Sequence, residues 1–189
     1  MFYLYPITPH MKNISIRQGL AADAPIIAAL HAASWRIAYR GLLLDEYLDN
    51  DLAGERAQHW SEKMANLKDN EFVLLAEIDK DVVGFIAVMD VPDAGYKALV
   101  DNLHVVPHLK GHGIGGKLMR AAARKLLADG RNNFYLWVLE GNHPAEKFYT
   151  SISGRPADRK QSDFGGKETW ATRYVWDDFN ELLVGIDGA

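Results

Sequence analysis

Lys110-Gly111-His112-Gly113-Ile114-Gly115-Gly116-Lys117 is the stretch whose reading decides the fold. Four glycines fall within the six positions 111–116. They follow a strand-like run ending at Val106 and precede a helical pattern of Leu118, Ala121, Ala122, Lys125 and Leu126. Glycines let backbone N–H groups approach a ligand with no Cβ in the way, and a helix N-terminus favours negative charge. The stretch therefore reads as a cradle for a phosphate.

Three motifs compete for these glycines. Gly111-x-Gly113-x-x-Gly116 matches a dinucleotide fingerprint, with Glu140 ending the next strand about 20 residues on, near the ribose-binding position. Pro107 to Lys110, however, separate the strand from the first glycine, where that fingerprint needs a tight turn. Gly111-x-x-x-x-Gly116-Lys117 matches a P-loop up to its last position. There Leu118 stands where a Ser or Thr must offer oxygen to Mg²⁺.

The third reading uses more of the chain. Leu103-x-Val105-x-Pro107-x-x-Lys110-Gly111-x-Gly113-Ile114-Gly115 resembles the acetyl-coenzyme-A signature of the GNAT N-acetyltransferase superfamily, with Lys110 where that pattern has Gln or Arg. Trp137-Val138-Leu139-Glu140-Gly141-Asn142-x-x-Ala145-x-x-Phe148-Tyr149 resembles its second block. The usual Leu-Gly-Phe ending is altered to Ile152-Ser153-Gly154-Arg155, so an irregular start to the following strand is expected. The likeness covers roughly Asn13 to Trp176.

The order of elements agrees with this. Asn13–Arg17 reads as a strand, and Asp23 with Pro25 opens a helix with apolar positions Ile26, Ile27, Leu30, Ala33 and Ile37. A second helix is expected over Leu52–Leu67. A hairpin follows from Phe72–Ile78 to Val82–Met89, then a strand over Tyr96–Val106. After the glycine helix come a continuous apolar strand, Phe134–Leu139, a short helix from Pro144 to Tyr149, and two closing strands. The expected fold is mixed α/β (α+β): a central mixed, mostly antiparallel sheet with helices on both faces. The resemblance adds a splayed strand pair holding coenzyme A. Residues 13–177 form the expected domain, between an extension at 1–12 and a tail at 178–189. The functional chain is expected to start near Met11.

Composition narrows the function. Net charge is −4 with no basic stripe, so nucleic-acid binding has no electrostatic support. With no cysteine, disulfides, thiolate metal sites and a thiol acetyl-enzyme are excluded, and a cytoplasmic location is expected. No apolar run approaches the ~18 residues of a membrane span, and the opening apolar residues lack the basic leader of a signal peptide. His104, His108 and His112 recur every four residues, but Pro107 and the glycines prevent one helix from presenting them together, so no metal is expected.

The resemblance implies acetyl-coenzyme A as co-substrate and an amine, on a small molecule or a protein, as acceptor. It assigns the pyrophosphate to the amides of Gly111, His112, Gly113, Ile114, Gly115 and Gly116, with charge from Lys110 and His112. Backbone groups of Leu103, His104 and Val105 are expected on the pantetheine amides, and Asn142 as their side-chain contact, within the block that includes Ala145 and Phe148. Tyr149 is the expected general acid. Thiols have pKa values near ~8.5, so acid assistance to the leaving thiolate is modest. An alkylamine, with a pKa near ~10.4, needs a base. Asp101 is the chosen candidate, on the same nominal face as Leu103 by strand alternation. His104 faces the other way unless a bulge intervenes, and Glu77, Glu140 and a water relay are rivals. Ser34 to Leu43 resembles the segment that walls the acceptor site, with Trp35 and Tyr39 as lining residues. A homodimer through the terminal strands is an open expectation. A non-catalytic acyl-coenzyme-A sensor is the rival class.

Overall fold

The computed structural model describes residues 13–41, 43–164 and 167–184, side chains at 163, 164 and 167 excepted. The expected start near Met11 and the extension at 1–12 lie outside the described residues. Seven strands form one sheet in the order β1-β2-β3-β4-β5-β7-β6. They are β1 (Ser15–Gln18), β2 (Phe72–Ile78), β3 (Asp81–Met89), β4 (Leu99–Val105), β5 (Phe134–Leu139), β6 (Arg155–Phe164) and β7 (Lys167–Trp176). Only β4 and β5 are parallel neighbours; the other pairs are antiparallel.

Helices cover both faces, as expected. Helices α1 (Ala24–Ala38) and α2 (Leu52–Ala65) lie on one side. Helix α3 (Ile114–Ala128), with α4 (His143–Ser151) and α5 (Asn180–Val184), lies on the other. Strands β2 and β3 are therefore buried on both faces. Phe72, Leu74, Ile86 and Val88 pack toward α3, while Val73, Leu75, Phe85 and Ala87 pack toward α1 and α2. This accounts for their near-continuous apolar sequences. Phe179 and Leu182, in the segment assigned to a tail, are each 2% exposed and join the α3-side core.

Three local expectations are corrected. Asp23 precedes α1 but makes no capping bond to it. Its carboxylate instead binds Arg17 at 2.7 Å and accepts the Leu20 N–H at 2.8 Å, tying β1 to the turn between it and α1. The buried stripe of α1 is also rotated from the expected one: Ile26 and Ile37 are 42% and 61% exposed, and Ala33 is exposed. Ile27 and Leu30 face inward as expected, joined by His31, Ser34 and Trp35, where polar His31 and Ser34 find partners. Third, β4 bulges. Ala87 pairs with Asn102 and Val88 with Val100, which leaves Asp101 as the extra residue. Asp101 and Leu103 therefore do not share a face. Leu103 packs in the α3-side core, while Asp101 reaches Lys63 of α2.

Beyond α4, Ser153 takes a positive φ of 66° and the β6–β7 register shifts between Pro156 and Arg159. The altered Ile152–Arg155 sequence thus coincides with an irregular strand start.

Candidate active site

Strands β4 and β5 touch at one end and part at the other. Their pairing is confined to Leu99 with Tyr135, where the Tyr135 N–H meets the Ala98 carbonyl at 3.1 Å. On its other edge β4 stays paired with β3 through Leu103, His104 and Val105. A strand turns alternate N–H and C=O groups to each side, so the β5-facing edge of this segment can receive an extended ligand as an added strand would. Leu103 and Val105 have core side chains, so the backbone is what they offer.

The glycine loop lies at the open end. Gly111 and Gly113 take φ of 82° and 79°, the left-handed region in which a Cβ is costly. The first bond of α3 runs from the Lys117 N–H to the Gly113 carbonyl at 3.0 Å. The amides of Ile114, Gly115 and Gly116 thus precede any intrahelical acceptor and form the positive end of the helix dipole. Ile114 is buried with its side chain in the core. A Cβ on Gly115 would lie 3.0 Å from the Phe148 ring, so this glycine lets α4 approach the start of α3. His112 is exposed and holds the Lys110 carbonyl through Nδ1 at 3.0 Å. Lys110 is an exposed residue, and partial desolvation of its ammonium lowers its pKa.

Helix α4 closes the other side. Asn142 is its N-cap, accepting the Ala145 N–H through Oδ1 at 3.4 Å. Its side chain lies near the Tyr39 hydroxyl at the end of α1, whose pKa burial raises and Asn142 holds down in part. Tyr149 packs near Tyr174 and Trp176, with ring centroids 5.9 and 6.0 Å away. Burial pushes its hydroxyl pKa well up, and so does the nearby Tyr39. Trp35 lies edge-on to Tyr39 at 5.2 Å. Tyr39, expected with Trp35 to line the acceptor site, therefore lies near Asn142 and Tyr149, the residues expected on the coenzyme side.

Toward α2 stands a polar cluster that the sequence reading did not assemble. The Trp60 indole donates to His31 Nδ1 at 2.9 Å. Because indole is donor-only, the His31 proton sits on Nε2, which has no hydrogen-bond partner among the described residues. His31 stacks on His104 at 4.4 Å, and His104 Nδ1 meets Ser34 Oγ at 3.1 Å. Burial, with Lys110 and Arg56 adding, pushes the His104 pKa down to about 3. Burial drives that of His31 down further, and both rings are neutral. Asp101 holds Lys63 at 2.6 Å and accepts from Asn102 at 2.7 Å. The rival acids are ion-paired as Asp101 is, Glu77 with Arg17 at 2.7 Å and Glu140 with Arg159 at 2.8 Å. The signal for His31 was its three-residue spacing from Ser34 on the inward face of α1. Among the described residues no three His, Cys, Asp or Glu converge as a metal site.

This architecture matches known proteins. The chain is 34% identical over 105 residues to an uncharacterized N-acetyltransferase of Archaeoglobus fulgidus, covering 53% of this chain and 69% of that one. It is 25% identical to the uncharacterized N-acetyltransferase YuaI of Bacillus subtilis, covering 89% of this chain and 96% of that one. The crystal structure of PaiA N-acetyltransferase from Thermoplasma acidophilum in complex with coenzyme A superposes with a TM-score of 0.68 at 20% identity, covering 87% of this chain and 99% of that one. The pattern of the acetyltransferase (GNAT) family matches residues 33–154, more than half of the chain. With its parted β4 and β5 and its glycine-led α3, the chain belongs to the acetyltransferase (GNAT) family.

Proposed function

We propose that this protein transfers the acetyl group of acetyl-coenzyme A to an amine by direct attack in a ternary complex. The observation that carries the reading is the parting of β4 from β5 beside the N-terminus of α3. It offers strand-edge backbone for the pantetheine arm and free amides for the pyrophosphate at one end of the same cleft. Residues 111–116, with Lys110 and His112, hold the pyrophosphate; Leu103, His104, Val105 and Asn142 align the arm. Ala145 and Phe148 support this wall.

The amine nitrogen attacks the thioester carbonyl, the C–N bond forms, and the C–S bond breaks with its electron pair going to sulfur. Tyr149 gives its proton to that sulfur. Asp101 accepts the amine proton, directly or through water, from the α2 side to which the bulge turns it. Trp35 and Tyr39 wall the acceptor. The absence of cysteine suits a reducing compartment, and the cytoplasm is the proposed location.

Thiol release from acetyl-coenzyme A, followed across a panel of small amines and peptide amines, tests this. Acceptor-dependent release supports the reading. Tight coenzyme A binding with no turnover on any acceptor would favour a sensor instead.

A further inference from the structure

The contact between Ser34 and His104 fixes the place of a proton. Ser34 is 2% exposed, and among the described residues its hydroxyl has one hydrogen-bond partner, His104 Nδ1 at 3.1 Å. A buried hydroxyl that only accepted from the ring would leave its own hydrogen without an acceptor, which is costly. Ser34 therefore donates, Nδ1 accepts, and the His104 proton sits on Nε2. The ring is held in place, stacked on His31 at 4.4 Å and tilted against Phe85 at 5.3 Å. His31 is itself fixed by the Trp60 indole. Unlike His31, which is buried, His104 is partly exposed, and its Nε2 is not sealed from water.

The neighbours of His104 on β4 decide where this N–H stands. Leu103 and Val105, on either side of it, turn their side chains into the α3-side core, and their backbone lies on the strand edge that parts from β5. His104 projects to the opposite face, the one to which the bulge turns Asp101. Burial holds its pKa down to about 3, so the ring stays neutral near pH 7. A neutral imidazole of this kind gives a hydrogen bond rather than taking up a proton.

We propose that His104 is a catalytic residue whose Nε2–H donates a hydrogen bond to the thioester oxygen as negative charge develops there. The inference rests on the proposed acetyl transfer, with the pantetheine arm along Leu103 to Val105 and Asp101 as base. As the amine forms the C–N bond, the carbonyl π pair moves onto oxygen. His104 stabilises that oxyanion without giving up its proton. The C=O bond then re-forms, and the C–S bond breaks with its pair going to sulfur. A donor already fixed by Ser34 and His31 needs no reorientation when the charge appears.

Three measurements test this. Nitrogen-15 NMR of the unaltered protein should show His104 with Nδ1 bare and Nε2 protonated near pH 7; a proton on Nδ1 overturns the proposal. The infrared carbonyl band of bound carbon-13 acetyl-coenzyme A should lie at lower frequency than in water, and His104→Leu should remove that shift. A band equal in the two proteins overturns it. In turnover, His104→Leu is expected to lower kcat about 100-fold, the size of a lost oxyanion donor, with KM for acetyl-coenzyme A within about threefold. His104→Gln, which keeps an N–H donor, should recover about tenfold of that loss. A kcat for His104→Leu within about threefold of the original overturns the proposal. So does a loss that vanishes with a weakly basic amine, uncharged at the assay pH, because His104 would then be a base. Absence of turnover by the unaltered protein on every amine would sink the acetyl-transfer reading instead, and the NMR and infrared results would still decide the role of His104.

Discussion

Asp101 and His104 share one face of β4, although three positions separate them, because Asp101 is the extra residue of a bulge. Asp101 reaches Lys63 of α2 at 2.6 Å and His104 reaches Ser34 of α1 at 3.1 Å. The bulge thus gathers a carboxylate and an imidazole under the same pair of helices, beside the opening between β4 and β5.

Asp101→Asn is expected to lower kcat by about 100-fold, the lower end of the range for a lost general base, and to change the pH–rate profile. An unaltered profile would remove Asp101 from the mechanism. Lys63→Ala, by contrast, should cost no more than about 1 kcal/mol of stability, because the pair is partly exposed and screened. Urea unfolding of the two variants separates these effects.

The buried histidines make stability pH-dependent. His104 has a folded pKa near 3 and His31 a lower one, against an unfolded value near ~6.5. Below ~6.5 the unfolded chain binds protons that the folded chain refuses, so stability falls as pH drops from there toward 3. Above ~6.5 the contribution is complete. Each histidine adds a slope approaching about 1.4 kcal/mol per pH unit between pH 6 and 4. Urea unfolding at several pH values measures this slope. His104→Gln should reduce it by about one histidine's share, and an unchanged slope would show that His104 does not contribute.

Trp60→Phe keeps an aromatic ring on Phe85 but leaves His31 Nδ1 without its donor. The expected cost is about 1–3 kcal/mol for an unsatisfied buried acceptor, plus the smaller ring's lost packing. A loss under about 0.5 kcal/mol in denaturant titration would show that another donor replaces the indole.

Gly113→Val places a β-branched residue at a φ of 79°. The backbone there would strain by about 1–2 kcal/mol, and the amides of the first α3 turn would shift. Calorimetry should find coenzyme A affinity reduced more than about tenfold, since 1.4 kcal/mol is tenfold in binding. Affinity within about twofold of the original would move the pyrophosphate elsewhere.

Tyr149→Phe should lower kcat roughly tenfold while the dissociation constant of coenzyme A stays within about twofold. The effect is modest because thiolates leave readily near neutral pH. Unchanged kcat would remove Tyr149 as acid.

Much of the fold was legible along the chain. The apolar runs of β2, β3 and β5, the hairpin turn and the glycine-led α3 are local patterns set by backbone geometry and side-chain period. The glycine loop and the cap of α4 were legible for the same reason, since Gly111, Gly113, Gly115 and Asn142 act through backbone conformation and capping within a few residues. The inward face of α1 was misread because hydrophobicity marks Ile26 and Ile37, whereas His31 and Ser34 are drawn inward by Trp60 and His104, 29 and 70 residues away. The bulge at Asp101 was illegible because it is a mismatch in count between two strands and leaves no mark on either one alone.

By itself the sequence determined the family, the sheet-and-helix order and the glycine-led start of α3, because these depend on contiguous residues and short spacings. Only the tertiary structure decided which way Asp101 faces, that Tyr39 lies near Asn142, and that His31 and His104 stack as a neutral pair. Those relations join residues far apart in the chain, and side-chain direction, partner and burial exist only once β4, α1, α2 and α4 are packed together.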